Sequence, residues 1–118
     1  MNTDTPSRQL LELYQTEWCP ASRRVRQRLT ELDVTYVSRQ VPVEREERLE
    51  LLVRTSADSI PALVCEDGEV LVGEEEILSY LGERFREPAG AEAHRLKAIK
   101  ARKRELEEAA RCLEPVTH

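Results

Sequence analysis

The stretch Trp18-Cys19-Pro20-Ala21-Ser22 holds the residues best suited to chemistry. A cysteine acts as a nucleophile only as its thiolate, and a helix start stabilises that anion through unpaired N–H groups and the helix dipole. Pro20 suits a first helical position, and Ala21, Val25, Leu29 and Leu32 follow at helical spacing. Cys19 therefore falls at the cap of a predicted helix. Ser22, three residues on, then turns both its hydroxyl and its N–H toward the sulfur, and Arg23 and Arg24 add positive charge one turn further along. Cysteines so placed commonly titrate at roughly 3.5–7.5 instead of about 8.5. The competing reading is a cysteine kept for packing; the proline and the strand-to-helix context favour the nucleophile.

The elements that must position Cys19 read off in order. Leu10 to Tyr14 reads as a strand apolar on both faces, and Pro20 to Leu32 as the helix just described. Val34 to Ser38 is a β-branched strand after a break at Asp33, and Glu44 to Arg54 a helix with Leu49, Leu52 and Val53 inward. Pro61 to Cys65 and Glu69 to Val72 form a hairpin about Asp67-Gly68, and Glu74 to Phe85 is a helix whose stripe is Ile77, Leu78, Leu81 and Phe85. The order β-α-β-α-β-β-α, with a parallel opening and an antiparallel close, is that of the thioredoxin fold, an α/β class with a four-stranded mixed sheet. Residues 1–9 read as a flexible lead-in and 10–86 as the folded domain. After a linker at Glu87-Pro88-Ala89-Gly90 comes an additional long C-terminal helix over residues 91–114. Leu96, Ile99, Leu106, Ala110 and Leu113 give it a heptad-like seam interrupted by Lys103. That seam packs back on its own domain or pairs two copies, so monomer and homodimer both stay open.

Two further signals fall near the predicted site. In Ser59-Ile60-Pro61, a proline opening a strand at this fold position is expected to be cis, which bares the N–H and C=O of Ile60 to an extended peptide. Gly73-Glu74-Glu75-Glu76 opens a helix whose N–H groups suit a carboxylate, while its acids suit an amino group; a merely solvated acidic turn is the alternative. Cys65 ends an apolar strand and reads as a small buried hydrophobe, and Cys112 as a surface or packing residue.

Composition excludes several classes. The 118 residues make one domain, and a net charge of −5 argues against a nucleic-acid surface. The longest apolar run, Ile60 to Cys65, is far short of the roughly 20 residues a membrane span needs. Residues 1–9 do not read as a secretory signal, three cysteines do not make a disulfide framework, and two histidines, one of them His118, make a metal site improbable. The expected location is cytoplasmic.

The segments LELYQTEWCPASRRVRQRL, RTSADSIPALV and GEVLVGEEEILSYL resemble the glutaredoxins and the N-terminal domain of glutathione transferases. The resemblance implies that Cys19 is the catalytic nucleophile, with Ser22 beside it, and that Trp18, Pro20, Ser59, Ile60, Pro61, Gly73, Glu74 and Glu75 bind glutathione. Ile60 would take the backbone of the tripeptide and the Gly73-Glu74-Glu75 turn its γ-glutamyl end. The chain departs from the pattern in three places. Ser22 stands where dithiol glutaredoxins carry a second cysteine. Thr16 stands where they carry a lysine for the glycine carboxylate, which leaves Arg39 or Gln40 as substitutes. Glu74 stands where transferases carry serine.

The function so implied is monothiol thiol–disulfide exchange with glutathione, or another low-molecular-weight thiol, as co-substrate and no metal. Its substrates would be glutathionylated proteins or small disulfides. The alternatives are a glutathione-binding or redox-sensing module without turnover, and a transferase-like protein lacking the second, helical domain.

Overall fold

The computed structural model describes residues 10–113. The expected lead-in at residues 1–9 and His118 lie outside the described residues. The elements are β1 (Leu11–Gln15), α1 (Pro20–Glu31), β2 (Tyr36–Gln40), a short 3-10 turn (Arg45–Glu47), α2 (Leu49–Thr55), β3 (Ala62–Val64), β4 (Val70–Val72), α3 (Glu74–Arg84) and α4 (Ala91–Leu113). The sheet order is β2-β1-β3-β4. β1 runs parallel to β2, and β3 antiparallel to both β1 and β4. This is the expected thioredoxin-like arrangement with an added long C-terminal helix.

Strand β1 is buried because both faces of the sheet are covered. On one side Leu11 and Leu13 pack with Val25 and Leu29 of α1 and Ile77 and Leu81 of α3. On the other, Tyr14 packs with Leu51, Ala62 and Val64 beneath α2. Cys65 sits in the first cluster, as its apolar strand implies. The hairpin turns at Gly68, whose φ of 92° is open to glycine, and Cys65 N–H donates to Glu69 C=O across it at 2.7 Å.

Two expectations are corrected. Strand β2 begins at Tyr36, two residues later than Val34, because Asp33 takes a positive φ of 59° and Val34 N–H still donates to Leu29 C=O. The second helix is broken rather than continuous from Glu44. Arg48 is buried between its two parts and donates to the carbonyls of Pro42, Val43 and Asp58. That break resets the phase of the remaining seven residues, so Leu51 faces inward. Leu49, Leu52 and Val53, expected inside, are exposed.

Helix α4 is tied down chiefly at its start. Ala91 is its one buried residue. Arg95 donates to Glu31, Glu87 and Glu92, and Arg28 donates to Glu31 and Glu87, so the linker and the first turns of α4 are held on α1. Arg95, and after it Arg28, holds the Glu87 carboxyl down at about 2. Further along, among the described residues, the Arg23–Glu105 pair at 3.6 Å is the one ion pair that reaches back to α1. Among the described residues no helix is long and apolar enough to cross a membrane.

Candidate functional site

Helix α1 starts at Pro20, and Cys19 is its N-cap with extended dihedrals (φ −79°, ψ 119°). That conformation follows from the sequence: proline disfavours a helical residue before it and supplies the φ of the first turn. The side chain of Cys19 then points back over the open helix end, and Ser22 N–H donates to its Sγ at 3.4 Å. The first turn of α1 contains no acid. Burial pushes the Cys19 thiol up; the Ser22 hydroxyl, the N–H groups of Ser22 and Ala21 and the charge of Arg24 outweigh it, and the thiol lies below its ordinary value. Ser22 Oγ is fully buried and has no partner of good hydrogen-bond geometry, which leaves the thiolate as the acceptor it faces.

Cys65 makes the contrast. It is buried at the far end of β3, and burial pushes its thiol up.

Cys19 opens on a groove of about 270 Å³ shared with Trp18, Arg45, Arg48, Ser59 and Ile60. Trp18 is 59% exposed and forms one wall. The Ile60–Pro61 peptide is cis, as expected. Neither the N–H nor the C=O of Ile60 has a hydrogen-bond partner among the described residues. Pro61 C=O accepts from Gly73 N–H at 2.9 Å, which joins the start of β3 to the start of α3. Trp18, Cys19, Ser59 and Ile60 are therefore brought together as the resemblance implied; Ser22 and Pro61 are buried, while Pro20 is exposed and lines the cleft between α1 and α4.

The Gly73-Glu74-Glu75 turn does not line that groove. Glu74 is held by Arg24 of α1, whose Nε donates to Oε2 and whose Nη2 donates to Oε1 at 2.9 Å; this holds the carboxyl below its ordinary range. Glu75 is exposed and lines a separate depression with Glu76 and Tyr80. Arg24 connects the two regions, since it grips Glu74 and its charge also reaches the Cys19 sulfur.

Neither residue proposed in place of the missing lysine at Thr16 is at the groove. Arg39 pairs with Glu12 at 3.0 Å, and Gln40 lines a different depression with Tyr14 and Pro42. Arg45 stands there instead. Its guanidinium donates to Asp58 Oδ1 at 2.8 Å and to Ser59 Oγ at 3.0 Å, and its side chain is 61% exposed. The sequence did not single it out, because Arg45 lies 26 positions from Cys19 in a charged run with no motif of its own. Only the buried Arg48 strut folds that run over Asp58. Thr16 itself is buried, and its C=O accepts from Cys19 N–H and from Arg26.

Residues 13–89 match the family model described as glutathione S-transferase, N-terminal domain. The chain belongs to this family. Its solved relatives include a possible glutathione S-transferase from Rhodopseudomonas palustris, 29% identical with a TM-score of 0.55, the match covering 62% of this chain and 37% of that one. A glutathione transferase homologue from Sulfitobacter, solved with bound glutathione, is 25% identical with a TM-score of 0.56 and coverages of 63% and 36%. The transferase from Ascaris lumbricoides is 20% identical and shares the fold over 92% of this chain and 56% of its own, with a TM-score of 0.52. The chain thus spans little more than a third of the length of the first two. No curated protein matches it.

Within the family domain, Cys19, Trp18 and Ile60 lie on one side of Pro20. On the other side a cleft of about 390 Å³ separates α1 from α4, lined by Arg23, Arg24, Ile99 and Arg102 among others.

Proposed function

We propose that this domain exchanges glutathione between disulfides through Cys19 alone. The observation that carries the reading is Cys19 itself: an N-cap thiol lowered by Ser22 and Arg24, at the edge of a groove whose floor offers the free N–H and C=O of Ile60. A peptide-like thiol pairs with Ile60 as an added strand does, with a carboxylate toward Arg45. Its γ-glutamyl amino group would have to reach beyond the groove toward Glu74, whose carboxylate Arg24 holds. The glutathione-bound Sulfitobacter homologue supports the choice of thiol.

The Cys19 thiolate attacks the glutathionyl sulfur of a mixed disulfide. The electrons of the broken S–S bond leave on the substrate sulfur, which takes a proton from solvent. The thiolate of a second glutathione then attacks the Cys19–glutathione disulfide; glutathione disulfide departs and the Cys19 thiolate returns. No second protein cysteine is required.

The test is turnover of a glutathionylated peptide with glutathione, alongside mass spectrometry of the protein. The expected result is catalysis through a Cys19 adduct one glutathionyl group heavier, both lost in Cys19→Ser. An adduct that forms but is not turned over would make the domain a glutathione-binding or redox-sensing module. Absence of any adduct would overturn the reading. A transferase-like reaction is favoured only by the α1–α4 cleft, and would show as conjugation of glutathione to an electrophile that survives Cys19→Ser.

A further inference from the structure

The surroundings of Ile60 are charged in opposite senses on its two sides. Arg45 Nη2 donates to Ser59 Oγ on the residue before it, and Gly73 N–H donates to Pro61 C=O on the residue after it. On the Ser59 side stand two guanidiniums, Arg45 and Arg48, with one carboxylate, Asp58, which Arg45 engages. Arg48 is buried and donates to the carbonyls of Pro42, Val43 and Asp58, so among the described residues its charge is in no ion pair. A buried guanidinium without a carboxylate favours an incoming anion. The acids nearest in the chain, Glu17, Glu44, Glu46 and Glu47, do not line the groove. On the Gly73 side the balance is reversed. Glu74, Glu75 and Glu76 follow one another in the first turn of α3, and among the described residues Arg24 is the one cation paired with them. The N–H groups left at this helix start already have carboxylates of their own turn beside them.

We propose that the site selects its thiol by this polarity: a carboxylate on the Arg45 side and no carboxylate on the Glu74 side. The inference rests on Cys19 exchange as read above and names the class of thiol exchanged. Glutathione meets the first condition through its glycine carboxylate and fails the second, because its γ-glutamyl end carries a carboxylate beside the ammonium. The ammonium suits Glu74 and Glu75, whereas the carboxylate is repelled by them. Arg24 does not offset that repulsion, since it spends Nε and Nη2 on Glu74, the fork a ligand carboxylate would need. A cysteine-based thiol whose amino side ends in an amide, a hydroxyl-bearing group or an amine is therefore the better fit. The Arg24–Glu74 pair is the specificity-determining element, because it makes an arginine that could hold an anion part of an acidic surface.

The experiment compares one neutral peptide disulfide-linked in turn to three thiols: glutathione, glutathione amidated at its glutamyl carboxylate, and glutathione amidated at its glycine carboxylate. Mass spectrometry of the full chain follows the Cys19 adduct. It forms as the thiolate attacks the sulfur of the small thiol and releases the peptide thiolate, which takes a proton from solvent. Relative to glutathione, the glutamyl amide should react several-fold faster and the glycine amide several-fold slower. Both ratios should shrink toward one as salt is raised. Glu74→Ser frees Arg24 and should reverse the first ratio, so that glutathione outruns its glutamyl amide. Arg45→Gln should bring the second ratio toward one. Each ratio compares thiols on the same protein, so a change in the reactivity of Cys19 itself cancels. Glutathione reacting as fast as its glutamyl amide, or faster, overturns the inference and leaves Cys19 exchange standing. A folded Glu74→Ser variant that keeps the original preference overturns it too. Absence of an adduct with all three thiols overturns Cys19 exchange and the inference together.

Discussion

Two helix starts lie side by side in this domain and are used in opposite ways. Helix α1 begins with a thiol as its cap, no acid in its first turn, and an N–H donated to sulfur. Helix α3 begins at Gly73 with no side-chain cap, and its first turn is Glu74, Glu75 and Glu76. Both ends carry the same partial positive charge. At α3 that charge is answered by the helix's own carboxylates, one of them clamped by Arg24. At α1 it is left for whatever anion the Cys19 sulfur becomes. A helix start is a chemical tool only where its own side chains have not already neutralised it.

Making α1 resemble α3 should have the largest effect. Ala21→Glu places a carboxylate in the first turn beside the sulfur and should raise the Cys19 pKa, costing about tenfold in thiolate at a pH below it. Iodoacetamide reactivity followed against pH reads this directly. An unchanged midpoint would mean that the helix end does not act on the thiol.

Ser22→Ala should come next. It removes one hydroxyl donor but keeps the N–H, so the Cys19 pKa should rise less, costing about threefold in reactivity. The sign is set by the lowered state of Cys19: the thiolate is populated above its depressed pKa and lost as pH falls through it. Ser22→Cys tests the same geometry another way. It should give an internal disulfide under mild oxidation, seen as a loss of two mass units; failure to form one would mean that the two side chains diverge.

A smaller pair of effects concerns the link between the two helix starts. Arg24→Gln should raise the Cys19 pKa slightly and return Glu74 toward its ordinary range, since Arg24 is the main cause of the Glu74 shift and the least of the causes that lower Cys19. Glu74→Gln should move Cys19 the other way, by leaving the Arg24 charge unpaired. Arg24 is exposed and screened, so each change is small. Opposite signs in the two variants are the observation that matters; equal signs would mean that Glu74 acts on Cys19 by another route.

The smallest expected effect is none. Cys65→Ala together with Cys112→Ser should leave exchange intact, because Cys65 is sealed in the core and Cys112 is exposed on α4. Activity lost from a folded double variant would reveal a distant resolving thiol.

Much of this was legible in the sequence because it depends on neighbours in the chain. The Cys19 cap, the Pro20 start, the Ser22 contact, the hairpin at Gly68 and the order of strands and helices all follow from spacing over a few residues, and spacing is what a sequence records. The start of α4 at Ala91 was readable for the same reason, through the long run of helix-forming residues after Gly90.

Tertiary structure decided what depends on residues far apart. Leu49, Leu52 and Val53 satisfy an apolar spacing, yet the buried Arg48 guanidinium claims three carbonyls and interrupts the helix before them. Burial then fell to Leu51. Arg45 came to the groove, and Arg39 did not, because Asp58 and Glu12 respectively offered each a carboxylate. Glu74 became the partner of Arg24 only once α1 and α3 packed on the same face of the sheet. A charged side chain has many possible partners along a chain this rich in both signs, and only the fold decides which of them comes within reach.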